Sequence, residues 1–103
     1  MYRLIIAEDE PIIAEGLRNT ISWNELGFEI IGLAEDGQTA MNMVELFHPH
    51  VVLTDIRMPG TDGLSLLRFI KQQYPDIEVV LLTAYAYFDY ARRAVNEGAF
   101  RYV

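Results

Sequence analysis

The chain has 103 residues, 51% of them hydrophobic, and its fifteen acidic and eight basic residues give a net charge of −7. This length suits a single domain, and so high a hydrophobic content excludes a disordered chain. An acidic surface repels nucleic-acid phosphates and no apolar run approaches the ~20 residues of a membrane helix, so we expect no direct nucleic-acid contact by this domain and no membrane insertion.

The chain alternates between short apolar runs and amphipathic stretches, which predicts strands separated by helices. Five strands are predicted, at residues 2–7, 28–33, 51–54, 78–82 and 100–103. The first three helices begin at residues that favour a helix start, namely Pro11 as a first helical residue and Asp36 and Asp62 as caps. The third helix is expected to end before Pro75, and the fourth to close at Gly98.

Apolar residues at helical spacing predict which face of each helix is buried. These residues are Ile13, Leu17 and Ile21 on the first helix; Ala40, Met43, Val44 and Phe47 on the second; Leu66, Leu67, Phe69 and Ile70 on the third; and Tyr87, Ala91, Ala94 and Val95 on the fourth. Trp23, which follows the first helix, is interpreted as a packing anchor.

This alternation predicts a doubly wound α/β fold. Strands joined through helices of about a dozen residues must run parallel. Their nearly continuous apolar sequences are typical of a sheet that helices cover on both faces, so we predict a three-layer αβα domain. Ligands of such folds bind beyond the carboxyl ends of the strands. Glu8, Asp9, Asp55 and Thr83 fall at these ends.

Carboxylates end two of the predicted strands. Glu8 and Asp9 follow the first strand, and Asp55 follows the third, so that Asp9 and Asp55 are expected to face each other across neighbouring strands. Like charges at close range raise one another's pKa values and cost stability. Mg²⁺ prefers carboxylate oxygens and shares its shell with phosphate oxygens. We therefore predict a Mg²⁺ site made by these acids and the backbone carbonyl of Arg57, with Glu8 binding directly or through water.

Asp55 is the candidate nucleophile at this site. A carboxylate can accept a phosphoryl group to give an acyl phosphate, and the transfer needs mainly in-line positioning and positive charge on the phosphoryl oxygens. Thr83 offers a hydroxyl to a phosphate oxygen, although a threonine that merely ends a strand would look the same. Tyr102, on the fifth strand, either packs half-buried or swings inward as Thr83 moves toward the phosphate.

Taken together, these motifs resemble the receiver domain of bacterial two-component response regulators. The resemblance covers the whole chain and rests on Glu8-Asp9, Asp55 with Met58-Pro59-Gly60 and Asp62-Gly63, Thr83-Ala84, and Gly98-Ala99 followed by Tyr102. It implies a flavodoxin-like five-stranded sheet of order 2-1-3-4-5. It also implies a phosphorylation-dependent switch rather than an enzyme, in which a sensor histidine kinase phosphorylates Asp55 with Mg²⁺ bound, and Thr83 and Tyr102 are the switch residues.

Finer features resemble receivers that precede an AraC-type helix-turn-helix domain. Trp23 followed by Gly27 and the sequences at residues 54–59 and 87–91 carry this resemblance. It implies an attached output domain that binds DNA and regulates transcription, and a homodimer through the fourth helix and fifth strand. The absence of cysteine fits a reducing compartment, so a cytoplasmic protein is expected.

One family feature is missing from the sequence. Receivers carry a lysine three residues after the switch aromatic, and the chain stops at Val103, before that position. The expectation is therefore an incomplete receiver domain over residues 1–103, without the end of the fifth strand and the last helix. This chain alone would then lack one cationic contact to the phosphate.

Three other functions fit the residues less well. A phosphatase that uses Asp55 as its nucleophile would want a general acid two residues later, where Arg57 stands. A flavin-binding protein of similar fold would need a phosphate loop after the first strand, where the sequence has consecutive acids. A degenerate receiver that serves only as a docking surface would have no need of intact carboxylates.

Overall fold

The computed structural model describes residues 1–82 and, as backbone only, residues 101–102. Its elements are, in chain order, β1 Tyr2–Ala7, α1 Pro11–Thr20, β2 Phe28–Ala34, α2 Gly37–Phe47, β3 Val51–Asp55, α3 Gly63–Gln73, β4 Glu78–Leu82 and β5 Arg101–Tyr102. The first four predicted strands and the first three predicted helices are confirmed, with β2 and β3 each one residue longer than predicted. Residues 101–102 of the predicted fifth strand are confirmed, and its residues 100 and 103 lie outside the described residues. The predicted fourth helix lies outside the described residues.

The strands form one parallel sheet in the order β2-β1-β3-β4-β5. This is the predicted doubly wound order. The chain passes from β1 to β2 on one side and then to β3 on the other, so that β1 and β3 are neighbours. Ala7 pairs with Thr54 at the last step of the β1–β3 ladder. The residues that follow β1 and the last residue of β3 therefore reach the same edge of the sheet.

Capping side chains define where two of the helices begin. Asp36 accepts a hydrogen bond from the Thr39 N–H at 2.7 Å, and Asp62 accepts one from the Ser65 N–H at 2.9 Å. Each bond satisfies an N–H that the first helical turn leaves without a partner. Helix α1 has no such side-chain cap and starts with Pro11 at a position where proline fits. The three predicted helix starts are confirmed.

Apolar residues on the two faces of the sheet form two clusters. The larger cluster joins one face to α2 and α3 and includes Ile5, Val52 and Leu81 from the strands. The smaller contains the buried residues Leu4, Ile6 and Leu53 on the opposite face, with Leu17 of α1 packed against it. Helices thus cover both faces, as the continuous apolar strands predicted. Among the described residues, no helix is long and apolar enough to cross a membrane.

Trp23 anchors the segment after α1. Its indole Nε1–H donates to the Leu17 carbonyl at 2.9 Å, and its ring meets Phe28 edge-on with ring centroids 6.2 Å apart. The indole therefore ties the end of α1 to the first residue of β2 and satisfies its own donor in the same contact. This agrees with the interpretation of Trp23 as a packing anchor.

Two residues predicted to face the core are substantially exposed. Ile13 is 46% exposed, and the buried residue of α1 is its neighbour Ala14. The small alanine side chain faces the sheet, and the bulkier isoleucine turns about 100° away from it around the helix. Phe47 is 40% exposed because it is the last residue of α2, and His48 then leaves the helix in a left-handed conformation with φ 47°.

Candidate functional site

Three carboxylates converge at the carboxyl edge of the sheet. Glu8 and Asp9 follow β1, and Asp55 ends β3. One carboxylate oxygen from each lies within 4.8 Å of the other two. The parallel pairing of β1 with β3 produces this convergence, because it carries both strand ends to one place. The structure thus brings together three of the residues that the sequence predicted for the site.

Glu8 is the most unusual of the three acids, because it is buried. Its side chain is only 3% exposed, and its Oε2 accepts a hydrogen bond from the Glu10 N–H at 3.0 Å. Burial raises the pKa of Glu8 to about 7. The Glu10 N–H opposes this rise, whereas hydrogen bonding to Asp9 and the charge and hydrogen bonding of Asp55 add to it. Ionised Glu8 is therefore poorly stabilised by the chain itself.

Asp55 stands half-buried at the mouth of the site. Its Oδ1 accepts a hydrogen bond from the Arg57 N–H at 3.3 Å. Behind it, Thr54 is completely buried, and its hydroxyl donates to the Asp55 carbonyl at 2.9 Å. The Ile56 N–H donates to the Leu82 carbonyl at 3.3 Å, which continues the ladder between β3 and β4. The backbone on both sides of Asp55 is thus held while its carboxylate stays accessible.

Helix α3 begins directly against the backbone of Asp55. The Gly63 N–H donates to the Ile56 carbonyl at 2.7 Å, and a Cβ added at Gly63 would lie 2.2 Å from the Asp55 carbonyl oxygen. Only glycine permits so close an approach. The sequence showed Gly63 only as part of the Asp62-Gly63 motif that resembles receiver domains, and its direct contact with Asp55 was missed. The Asp62-Gly63 pair at the helix start is the signal that could have revealed it.

The oxygen-only donor set fits Mg²⁺. Hard divalent cations take carboxylate and carbonyl oxygens, and Mg²⁺ is bound in proteins through one or two carboxylates together with phosphate oxygens. A cation here would offset both the loss of hydration that burial imposes on ionised Glu8 and its repulsion by Asp55. The histidines of the described residues lie elsewhere: His48 and His50 precede β3 at the opposite edge, where His50 Nδ1 accepts from the Arg3 N–H. The described part of the chain therefore offers an acidic cluster suited to Mg²⁺.

The two predicted switch residues are not tested by this geometry. Thr83 lies outside the described residues. Tyr102 is described as backbone only, in β5, where it pairs with Leu81 of β4. Their roles stay predictions.

Comparison with known proteins assigns this arrangement to a family. Residues 4–103 match the response regulator receiver domain. The whole chain is 36% identical to an uncharacterized transcriptional regulatory protein, YesN, of Bacillus subtilis, and spans 28% of that protein's length. The chain therefore spans less than a third of this curated relative.

Two solved structures are similar over nearly all of the chain. The receiver domain of AraT, a response regulator from Geobacillus stearothermophilus, has a TM-score of 0.92 at 34% identity, covering 99% of this chain and 79% of that one. A two-component transcriptional regulator, AraC, from Clostridium phytofermentans has a TM-score of 0.84 at 36% identity, covering all of this chain and 78% of that one. The flavodoxin-like receiver fold is thereby confirmed.

Proposed function

Because this chain belongs to the response regulator receiver domain family, whose members are phosphorylation-dependent switches, we propose that Asp55 is its phosphoacceptor. Glu8, Asp9 and Asp55 hold Mg²⁺ together with the backbone carbonyl of Arg57. Residues 1–103 belong to a single receiver domain. The observation that carries the proposal is the convergence of three carboxylates, one of which, that of Glu8, is buried and hard to ionise.

The proposed chemistry is a phosphoryl transfer from a phosphohistidine of a sensor kinase. An Asp55 carboxylate oxygen forms the new bond to phosphorus, the bond from phosphorus to the histidine nitrogen breaks, and the electron pair of that bond stays on the nitrogen. Bound Mg²⁺ supplies positive charge to the phosphoryl oxygens. The chain's own contribution is to hold Asp55 in place, through the Thr54 hydroxyl and the close approach of Gly63, while its carboxylate stays accessible.

The consequence of phosphorylation that we propose is a shift between two pre-existing states. Thr83 and Tyr102 move inward in the phosphorylated state. The changed surface controls an attached output domain, of AraC type, that binds DNA and regulates transcription in the cytoplasm. The fourth helix and fifth strand form the homodimer face.

A direct assay tests the phosphoacceptor. The protein is incubated with Mg²⁺ and acetyl phosphate, and its intact mass is followed by mass spectrometry. We expect the gain of one phosphoryl group, dependent on Mg²⁺ and lost in Asp55→Asn. Asp62→Asn is the matched control, because asparagine still caps α3 and the acid cluster is intact. A full gain in Asp55→Asn would overturn the assignment. Sustained turnover of the donor would favour a phosphatase, and no gain in the wild type would favour a docking module.

A further inference from the structure

Helix α2 begins in direct contact with the loop that leads from Asp55 to α3. Gly37, its first residue, is buried, and a Cβ added there would lie 2.2 Å from the Thr61 carbonyl oxygen and 2.6 Å from the Thr61 Cβ. Ordinary van der Waals contacts begin at 3.4 Å. The backbone of Gly37 is not left-handed, in contrast to Gly27 and Gly60. Position 37 therefore requires glycine for space rather than for conformation.

The start of α2 cannot easily retreat from this contact. The Asp36 side chain caps the helix through the Thr39 N–H at 2.7 Å, and the Asp36 carbonyl accepts from the Ala40 N–H at 3.1 Å. Just before it, the last carbonyl of β2, that of Ala34, accepts from the Glu8 N–H at 2.9 Å. The helix start is thus fixed to the same strand end that positions Glu8.

The loop side of the contact is fixed as well. Thr61 lies in the segment of residues 56–62, which joins Asp55 to α3. Gly63 closes that segment by donating to the Ile56 carbonyl and by packing on the Asp55 backbone. The atoms that a Cβ at position 37 would meet are mainly backbone atoms of Thr61, so rotation of a side chain cannot relieve the overlap. The segment itself would have to move.

We propose that Gly37 is a positioning residue for the metal and phosphoryl site, an inference that rests on the proposed function. By allowing α2 to touch Thr61, Gly37 sets the position of the segment that carries the Arg57 carbonyl and follows Asp55. A side chain at position 37 displaces this segment without removing any ligand. Displacements of about 1 Å cost on the order of 100-fold in rate when reacting groups must be aligned. Residues that support metal ligands typically contribute about 10-fold or more to affinity.

The test compares two glycine-to-alanine variants. Gly37→Ala adds a Cβ against Thr61, whereas Gly16→Ala adds one in α1 where nothing lies within 4 Å. Calorimetry gives the Mg²⁺ dissociation constant, with the folded fraction of each sample measured by circular dichroism. We expect Gly37→Ala to weaken Mg²⁺ binding by about 10-fold or more and Gly16→Ala to change it by less than about 2-fold. The phosphorylation rate with acetyl phosphate should fall in the first variant alone.

A double variant tests whether the effect passes through Thr61. In Gly37→Ala/Thr61→Gly the Cβ of residue 61 is absent, and glycine can turn its carbonyl away. We expect it to recover most of the lost Mg²⁺ affinity, and to fold even if Gly37→Ala does not. A double variant that recovers neither the Mg²⁺ affinity nor the fold would refute the proposal that the effect of Gly37→Ala passes through Thr61.

The wild type separates this inference from the proposed function. If the wild type neither binds Mg²⁺ nor gains a phosphoryl group, the proposed function fails. If the wild type does both and folded Gly37→Ala matches it, only the positioning role is overturned.

Discussion

Replacing Glu8 by glutamine should stabilise the metal-free protein at neutral pH and weaken its affinity for Mg²⁺. Glutamine has nearly the same shape as glutamate, and its carbonyl oxygen can still accept from the Glu10 N–H. Its amide can donate toward Asp9 and Asp55, as protonated Glu8 does. The substitution therefore removes the charge and keeps the packing.

The size of the effect follows from the pKa of Glu8. Burial is the largest cause that raises this pKa from its ordinary 4.5 to about 7. The folded chain therefore binds this proton more tightly than the unfolded chain, and stability is lost as the pH rises from about 4.5 to about 7. One pKa unit corresponds to about 1.4 kcal/mol, so the loss is at most about 3–4 kcal/mol. Glu8→Gln does not suffer this loss.

The assay is urea unfolding of the wild type and Glu8→Gln from pH 4.5 to pH 8 in the presence of EDTA. The difference in free energy of unfolding should grow with pH in favour of the variant, by about 1–3 kcal/mol. Glu25→Gln, at an exposed position outside the acid cluster, is the matched control and should show no such growth. Adding Mg²⁺ should stabilise the wild type more than Glu8→Gln. A difference that stays constant across this pH range would refute the reasoning that burial keeps Glu8 protonated.

Three further predictions concern the proton of Glu8, the contact of Gly63 with Asp55 and the hydrogen bond of Trp23. The apparent affinity for Mg²⁺ should rise as the pH approaches about 7, because Glu8 must lose its proton to bind the ion; calorimetry in two buffers of different ionisation enthalpy should detect the released proton, and no buffer dependence would contradict this. Gly63→Ala should lower the free energy of unfolding by about 1–3 kcal/mol and slow phosphorylation, since its Cβ would meet the Asp55 carbonyl; urea unfolding and intact mass measure the two effects, and wild-type values would argue against the contact. Trp23→Phe should cost about 1–2 kcal/mol by leaving the Leu17 carbonyl without its donor, with the phosphorylation rate unchanged; a large loss of phosphorylation would show coupling between this anchor and the site.

The parallel sheet and the gathering of the acids at one of its edges could be predicted from periodicity, whereas the strand order was implied by the resemblance to receiver domains. Strands separated by helices must be parallel, and parallel strands deliver their carboxyl ends to one edge. Asp36 and Asp62 were recognisable as caps because a carboxylate before an amphipathic helix has an evident partner in the first-turn N–H groups. These local rules needed no knowledge of packing.

Which acid is buried could not be predicted from sequence. Three acids follow β1 in a row, and nothing local distinguishes Glu8 from Glu10. The Glu8 N–H donates to the Ala34 carbonyl at the end of β2, which holds Glu8 beside the sheet, and its side chain is only 3% exposed. Glu10, two residues later, is exposed. The burial of Glu8 depends on how far the hydrogen bonding between the ends of β1 and β2 extends, and this cannot be read from either segment alone.

The helix faces and the tight glycine contacts are also outcomes of packing between elements. The spacing of bulky residues on α1 predicted that Ile13 would face inward, whereas in the structure Ile13 is 46% exposed and its small neighbour Ala14 is buried. Gly37 and Gly63 each follow an aspartate, and the sequence shows only that a helix begins there. Position 37 must lack a side chain because of the Thr61 backbone, and position 63 because of the Asp55 backbone. Both requirements become visible only in the folded structure.

The most direct measurement of the central claim is to locate the phosphoryl group. Protein treated with acetyl phosphate and Mg²⁺ is reduced with borohydride, which converts an aspartyl phosphate to homoserine, and the digested peptides are sequenced by mass spectrometry. We expect homoserine at position 55 alone, and none when EDTA replaces Mg²⁺. Homoserine at Asp9 or at another acid, or conversion at position 55 without Mg²⁺, would contradict it.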